Sequence, residues 1–196
     1  MADAIKKILP EIRKCTVCAK HLPHPPWPVV QIGAAARIII IGQAPGSKVH
    51  ESGVPWQDQS GERLREWTGL GEKTFYDPAK VALMPMGFCY PGAENGADLP
   101  PRPECAPLWH VRLLPLLAKV RLTLLVGIHA QSYYLQGTAA KATMTETVRG
   151  FAAHGPKLFP LPHPSWRSTG WMRRNPWFET DVLPALRKRV RAALVD

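Results

Sequence analysis

Four consecutive isoleucines, Ile38 to Ile41, stand between Arg37 and Gly42. Along a strand successive side chains point to opposite faces, so a run that is apolar at every position needs cover on both sides. Branching at Cβ favours the extended form. The run therefore predicts a strand of a parallel sheet packed between two layers of helices. Three other segments suit strands of the same sheet: Val81-Ala-Leu-Met-Pro, Leu122-Thr-Leu-Leu-Val-Gly and the short Lys157-Leu-Phe-Pro-Leu-Pro. Helical patterns lie around them. Residues 3–14 place Ile5, Ile8, Leu9 and Ile12 on one face, with Pro10 expected to bend or interrupt the helix. Helices are also expected over 60–68, over 104–119 with Trp109, Leu113 and Leu116 or Leu117 inward, and from about Ala130 to Gln136. A last helix opens at Asn175-Pro-Trp-Phe-Glu, where Pro176 suits the first turn, and ends in the basic run Arg187-Lys-Arg-Val-Arg. Residues 90–103 read as irregular, rich in Gly and Pro. The alternation predicts an α/β fold: a single three-layer αβα domain over residues 1–196, with a short, mainly parallel central sheet.

The 196 residues suit one domain with a sizeable core. Lys and Arg number 25 against 15 Asp and Glu, a formal charge of +10, which fits either a polyanionic partner or simple solubility. No apolar run is long enough to span a membrane, and Met1-Ala-Asp-Ala-Ile-Lys-Lys has no secretory pattern. A cytoplasmic monomer is expected. Reduced cysteines in that compartment point to metal binding before disulfides. Cys15 and Cys18 form a Cys-x-x-Cys pair, and Cys89 and Cys105 follow much later. By spacing alone, four thiolates suit tetrahedral zinc or a [4Fe–4S] cluster equally.

In parallel α/β sheets ligands bind beyond the carboxyl ends of the strands. Two loops stand there. Gly42-Gln43-Ala44-Pro45-Gly46 follows the isoleucine run, with glycines that let the backbone approach a ligand and Pro45 stiffening the turn. No Gly-Lys-Ser/Thr follows, so a nucleotide-phosphate loop is a poor fit. A little later Trp56 could stack on a planar base or simply fill the core. The second loop, His163-Pro164-Ser165-Trp166-Arg167, holds an imidazole between two prolines. Arg167, Arg173 and Arg174 could hold phosphates, and Trp166 could wedge into a base stack.

These residues resemble the uracil-DNA glycosylase superfamily, which pairs an early Gly-x-x-Pro loop with a late His-Pro-Ser loop. The sequence is most similar to the branch carrying an iron–sulfur cluster, whose first loop reads Gly-Glu-Ala-Pro-Gly. Here Gln43 replaces the Glu. Gly53-Val54-Pro55-Trp56 matches that branch's Gly-x-Pro-Phe, so the resemblance gives Trp56 the Phe's role of stacking on uracil. The match runs in order from about Cys15 to Trp171.

The resemblance implies hydrolysis of the N-glycosidic bond of uracil, or of another deaminated base, in DNA after base flipping. His163 would donate a hydrogen bond to the base O2, where negative charge develops. The loop backbone at Gln43 and Ala44, with Gly42 and Gly46, would bind the same base, helped by Ser165. The resemblance also turns Cys15, Cys18, Cys89 and Cys105 into ligands of a [4Fe–4S] cluster, with zinc as the alternative. Neither loop contains a lysine, so lyase chemistry is not expected. Some members carry Asp or Asn in the first loop to activate water, where this chain has Ala44. Asp58 is then the nearest carboxylate, although it also reads as a helix cap, and His50 is a second candidate. Relatives read the uracil edge with an Asn after a central strand. The corresponding stretch, Met84 to Cys89, has none, which leaves backbone groups at Met86 and Gly87. Relatives' His-Pro-Ser-Pro-Arg-Asn becomes His163-Pro-Ser-Trp-Arg-Ser168, with Trp166 a larger wedge. The competing expectation is a protein that binds damaged or abasic DNA without cutting it.

Overall fold

A computed structural model of the chain describes residues 1–135 and 143–195. Strand β1 is Ile38–Ile41, and every residue in it is buried. It pairs in parallel with β2 (Val81–Leu83) on one edge and with β5 (Leu122–Val126) on the other, and β5 pairs in parallel with β6 (Leu158–Leu161). The strand order β2-β1-β5-β6 makes a four-stranded, wholly parallel sheet. A two-stranded antiparallel hairpin, β3 (Ala93–Glu94) and β4 (Ala97–Asp98), lies apart from it.

The isoleucine run divides by parity, as a strand must. Ile38 and Ile40 join one apolar cluster with Leu64, Trp67, Phe178 and Leu186, whereas Ile39 and Ile41 join a second with Ile8, Ile12, Trp109 and Leu113. The helices follow in chain order. They are α1 (Ala2–Arg13), α2 (Ser47–Ser52), α3 (Gln59–Thr68), α4 (Glu72–Phe75), α5 (Cys105–Leu113), α6 (Ile128–Tyr134), α7 (Met144–Arg149), α8 (Ser168–Arg174) and α9 (Leu183–Leu194). Residues of α3 and α9 fill the first cluster, and those of α1 and α5 fill the second. The molecule is thus a mixed α/β fold with its parallel sheet between helical layers.

Several elements depart from the sequence expectation for identifiable reasons. Helix α1 runs through Pro10 without interruption. Pro10 and Lys6 are both exposed, so the carbonyl that loses its i→i−4 donor faces water. Helix α5 stops at Leu113 and tightens into a 3₁₀ turn over Leu114–Leu116, short of the expected 119. Pro115, lacking an N–H, falls within that turn. The last helix proper begins at Leu183, after a π-helical turn over Phe178–Val182. Pro184 removes the next α-type donor there. Helix α6 starts two residues before the expected Ala130, and Gln136, the expected end, lies outside the described residues. Residues 90–103 are not wholly irregular. They contain the β3–β4 hairpin, turned by Asn95 (φ 50°) and Gly96 (φ 74°). Among the described residues no helix is long and apolar enough to cross a membrane.

The Pro10 site predicts a gain on substitution. Pro10→Ala restores the missing helical bond and is expected to raise unfolding free energy by up to about 3 kcal/mol. A urea midpoint unchanged or lowered would show that α1 bears no cost from its proline.

Candidate functional site: a pocket between two loops

The order in which strands are added reverses beside β1, because β2 lies on one side of it and β5 on the other. Ligands bind beyond strand ends at such a switch point. There the first loop leaves β1 and the second leaves β6. They enclose a pocket of about 240 Å³, below the roughly 300–1,000 Å³ of pockets for drug-sized ligands. That suits one planar heterocycle. Gly42, Gln43, Ala44 and Gly46 line it from the first loop, and His163, Ser165, Trp166 and Arg167 from the second. Trp56 and Asp58 also line it. Met86, Gly87, Arg173 and Arg174 are not among the lining residues.

The first loop is held by its carbonyls. Met86 N–H donates to Gly42 O at 2.9 Å and Gly87 N–H to Gln43 O at 3.0 Å. Met86 and Gly87 therefore stand behind the loop, and Pro85 reaches the pocket. Among the described residues the N–H groups of Gln43 and Ala44 have no backbone acceptor. Such unpaired donors are suited to a ligand carbonyl. The close approach expected at Gly42 is made by the protein itself: a Cβ there would lie 2.6 Å from Trp56 Cζ2.

Trp56 sits in left-handed backbone, φ 59°, uncommon for a bulky residue and a form of strain found at ligand clamps. Two contacts hold its carbonyl, each braced from behind. A Cβ on Gly61 would come within 1.8 Å of Trp56 O, so only glycine lets α3 pack against that carbonyl. Tyr76 Oη donates to Trp56 O at 3.2 Å, and Arg65 Nη1 donates to Tyr76 Oη at 3.2 Å. Asp58 caps α3, its Oδ1 accepting from Gly61 N–H at 2.8 Å. The indole then lies 5.8 Å from the His163 ring, inclined by 31°.

His163 is half-buried. Burial pushes its pKa below the ordinary 6.5, the nearby His129 adds to the fall, and the Asp58 charge opposes it. The imidazole is therefore neutral at pH 7, with a single N–H to donate. Its loop is pinned from two sides, by Ser168 Oγ donating to His163 O and by Arg63 Nη1 donating to Ser165 O at 2.5 Å. Trp166 is 74% exposed, with the Arg167 guanidinium 5.4 Å from its ring centre. Arg173 and Arg174 are exposed in the last turn of α8.

The hairpin supplies a wall that the sequence reading passed over. Gln43 Nε2 donates to Leu99 O at 3.0 Å, and Arg167 Nη2 donates to Gly96 O at 3.3 Å, so the strap at 96–99 bridges both loops. Asp98 thereby joins the pocket lining. Burial and the Asp58 charge push its pKa up from 3.8, against Arg167. The Asn95-Gly96 pair, a strong turn signal, was the clue to this hairpin. A second unforeseen contributor is His110. It is buried behind Pro85, with Nε2 donating to Pro85 O at 3.0 Å and Nδ1 accepting from Tyr134 Oη at 2.5 Å. His50 is not among the lining residues. It stacks on His24 at 5.2 Å and lies 5.8 Å from Tyr90.

The four cysteines are free thiols, and none lines the pocket. Cys15 follows α1, Cys18 precedes a 3₁₀ turn, Cys89 lies beyond β2, and Cys105 opens α5, accepting from Phe88 N–H at 3.3 Å. They are mutual neighbours electrically: Cys105 feels charge on Cys89, Cys18 and Cys15. Burial pushes Cys89 and Cys105 up to about 12. Among the described residues no group of three or more His, Cys, Asp or Glu is arranged to hold a single metal ion.

The family model of the uracil DNA glycosylase superfamily matches residues 30–187, and the chain belongs to that superfamily. Its function is of the glycosylase type, with DNA as the substrate.

Two outcomes follow from the way the pocket is built. Gly61→Ala forces Trp56 from its place and is expected to destabilise the fold by about 2–4 kcal/mol, read in urea melts. A variant as stable as the wild type would show that α3 does not clamp Trp56. Burial also lowers His110 from 6.5 to about 4. Between those values the unfolded chain binds one more proton than the native one, so stability falls as pH drops from 6.5 towards 4. The His110 share amounts to about 3 kcal/mol. His163 and His129 add slope of the same sign, so the check is a difference: His110→Gln should show a shallower loss between pH 7 and 4.5, and an equal slope refutes it.

Proposed function

With superfamily membership as the premise, we propose that the protein is a monofunctional DNA glycosylase. It removes uracil, and other deaminated bases of similar shape, by hydrolysing the N-glycosidic bond of an extruded nucleotide. The observation that carries this reading is the strained Trp56 beside a neutral His163 over a pocket for one heterocycle, with the free N–H groups of Gln43 and Ala44 on the same rim. The base enters the pocket and stacks on the indole. As the bond between N1 and C1′ breaks, its electron pair leaves with the base. His163 donates its N–H to O2, and the Gln43 and Ala44 N–H groups add to that stabilisation. Neutral imidazole suits the task, because donation then offsets developing charge without a full proton transfer. The exposed Trp166 occupies the space the base vacates, and Arg167, Arg173 and Arg174 hold phosphates on either side.

The reading includes a [4Fe–4S] cluster on Cys15, Cys18, Cys89 and Cys105. The donor set suits it in chemistry: four free thiols, of which Cys105 feels the charge of the other three. A cluster would supply a structural tie between the N-terminal segment and the 89–105 loop. Purified protein should be brown, with iron and sulfide in equal amounts. Colourless protein containing zinc favours the alternative.

Ala44 in place of a water-activating residue favours one second reading, a binder of damaged or abasic DNA that does not cut. Single-turnover assays separate the two. Uracil-containing oligonucleotides, single- and double-stranded, should yield abasic sites, and His163→Ala should slow release about 10²–10³-fold. Binding without cleavage by the wild-type protein would establish the second reading instead.

A further inference from the structure

We propose that Asp98, delivered by the β3–β4 hairpin, is the carboxylate that holds and deprotonates the attacking water. The inference rests on the glycosylase reading and names the group that the first loop, with Ala44, does not supply.

Position is the first argument. Gly42, Val29, Pro85 and Trp56 line the pocket alone and form the recess taken here for the base, whereas Asp98, with Gly46, Asp58 and Ser60, also lines an adjoining groove, taken as the pocket's mouth. A base held in the recess leaves its sugar at this mouth, so a carboxylate here faces C1′ and not the base edge. Gly46 makes room for it: a Cβ at that position would stand 3.3 Å from Asp98 Oδ2.

Availability is the second. Asp58 has Oδ1 committed to the Gly61 N–H that starts α3, whereas among the described residues no hydrogen bond reaches the Asp98 carboxylate. Asp98 also belongs to an exposed hairpin, so water reaches it. Electrostatics agrees. Partial burial and the Asp58 charge raise its basicity, Arg167 opposes that rise, and Tyr90 is the other titratable group that feels its charge.

The step balances. The C1′–N1 bond breaks and its electron pair leaves on the base. The water oxygen bonds to C1′ of the cationic sugar, and one water proton passes to Asp98. That proton returns through solvent to base N1, giving a sugar hydroxyl and a neutral base. Asp98 also opposes the positive charge on the sugar before water adds.

The test uses full-length protein and single-turnover excision from uracil and other deaminated-base oligonucleotides, with melts and DNA binding measured alongside. Asp98→Asn is expected to fold and bind DNA as the wild type does, and to excise about 10²–10⁴-fold more slowly. In the wild type the rate should fall as pH drops through the Asp98 titration, because only the ionised form accepts the proton. That acid limb should vanish in Asp98→Asn. Asp98→Glu, which keeps the base on a longer arm, should recover part of the rate. Excision by Asp98→Asn within about threefold of wild type, or with the same acid limb, overturns the proposal. So does a loss of DNA binding that matches the loss of rate. A wild-type protein that excises none of the bases overturns the glycosylase reading and this inference together.

Discussion

Burial of β1 on both faces and along both edges is the constraint from which the rest of the molecule follows. Its four isoleucines are between 0% and 2% exposed. They split between two apolar clusters, so neither helical layer can be removed without stripping this strand. A strand so enclosed has one free direction, its carboxyl end, where the backbone must turn sharply into the Gly42–Gly46 loop. Met86 and Gly87 then anchor that loop by its carbonyls, which leaves the opposite side of the peptide units for a ligand. The site is in this sense the place where the best-packed strand runs out of partners.

Much of this was legible in the sequence, for a physical reason. Unbroken β-branched runs have few alternatives to a doubly covered parallel strand. The two loops at strand ends could be picked out because glycine and proline leave a strong local mark. What sequence patterns missed was set by contacts across long separations. Proline was the commonest source of error. At Pro10 the helix continues with the freed carbonyl open to solvent, whereas at Pro115 the α-helix ends early. The β3–β4 hairpin has too little apolar alternation to stand out, since nearly all of its residues are exposed. Asp98 was invisible for that reason.

Within the pocket the pattern recurs. Trp56 and His163 could be nominated from their neighbours in sequence, but their arrangement depends on Gly61, Tyr76, Arg65, Arg63 and Ser168. Only Ser168, at the end of the second loop, belongs to a motif. The five act by fixing a strained tryptophan and a proline-bounded histidine against rotation, the kind of preorganisation that charge stabilisation in a transition state requires. Gln43 is instructive here. Read as a departure from a glutamate, it finds structural use as the donor that draws the strap onto the first loop.

The strap has an evolutionary corollary. Its turn at Asn95-Gly96 is exposed to solvent and packs no side chain into either apolar cluster, and two side-chain bonds latch it to the loops beneath. Chain can be inserted or deleted at such a tip with little effect on the core. The tip of the strap is consequently a replaceable part of the rim, in front of the fixed Asp98. A few surface residues there can be remodelled while the sheet, the tryptophan clamp and the histidine loop stay as they are.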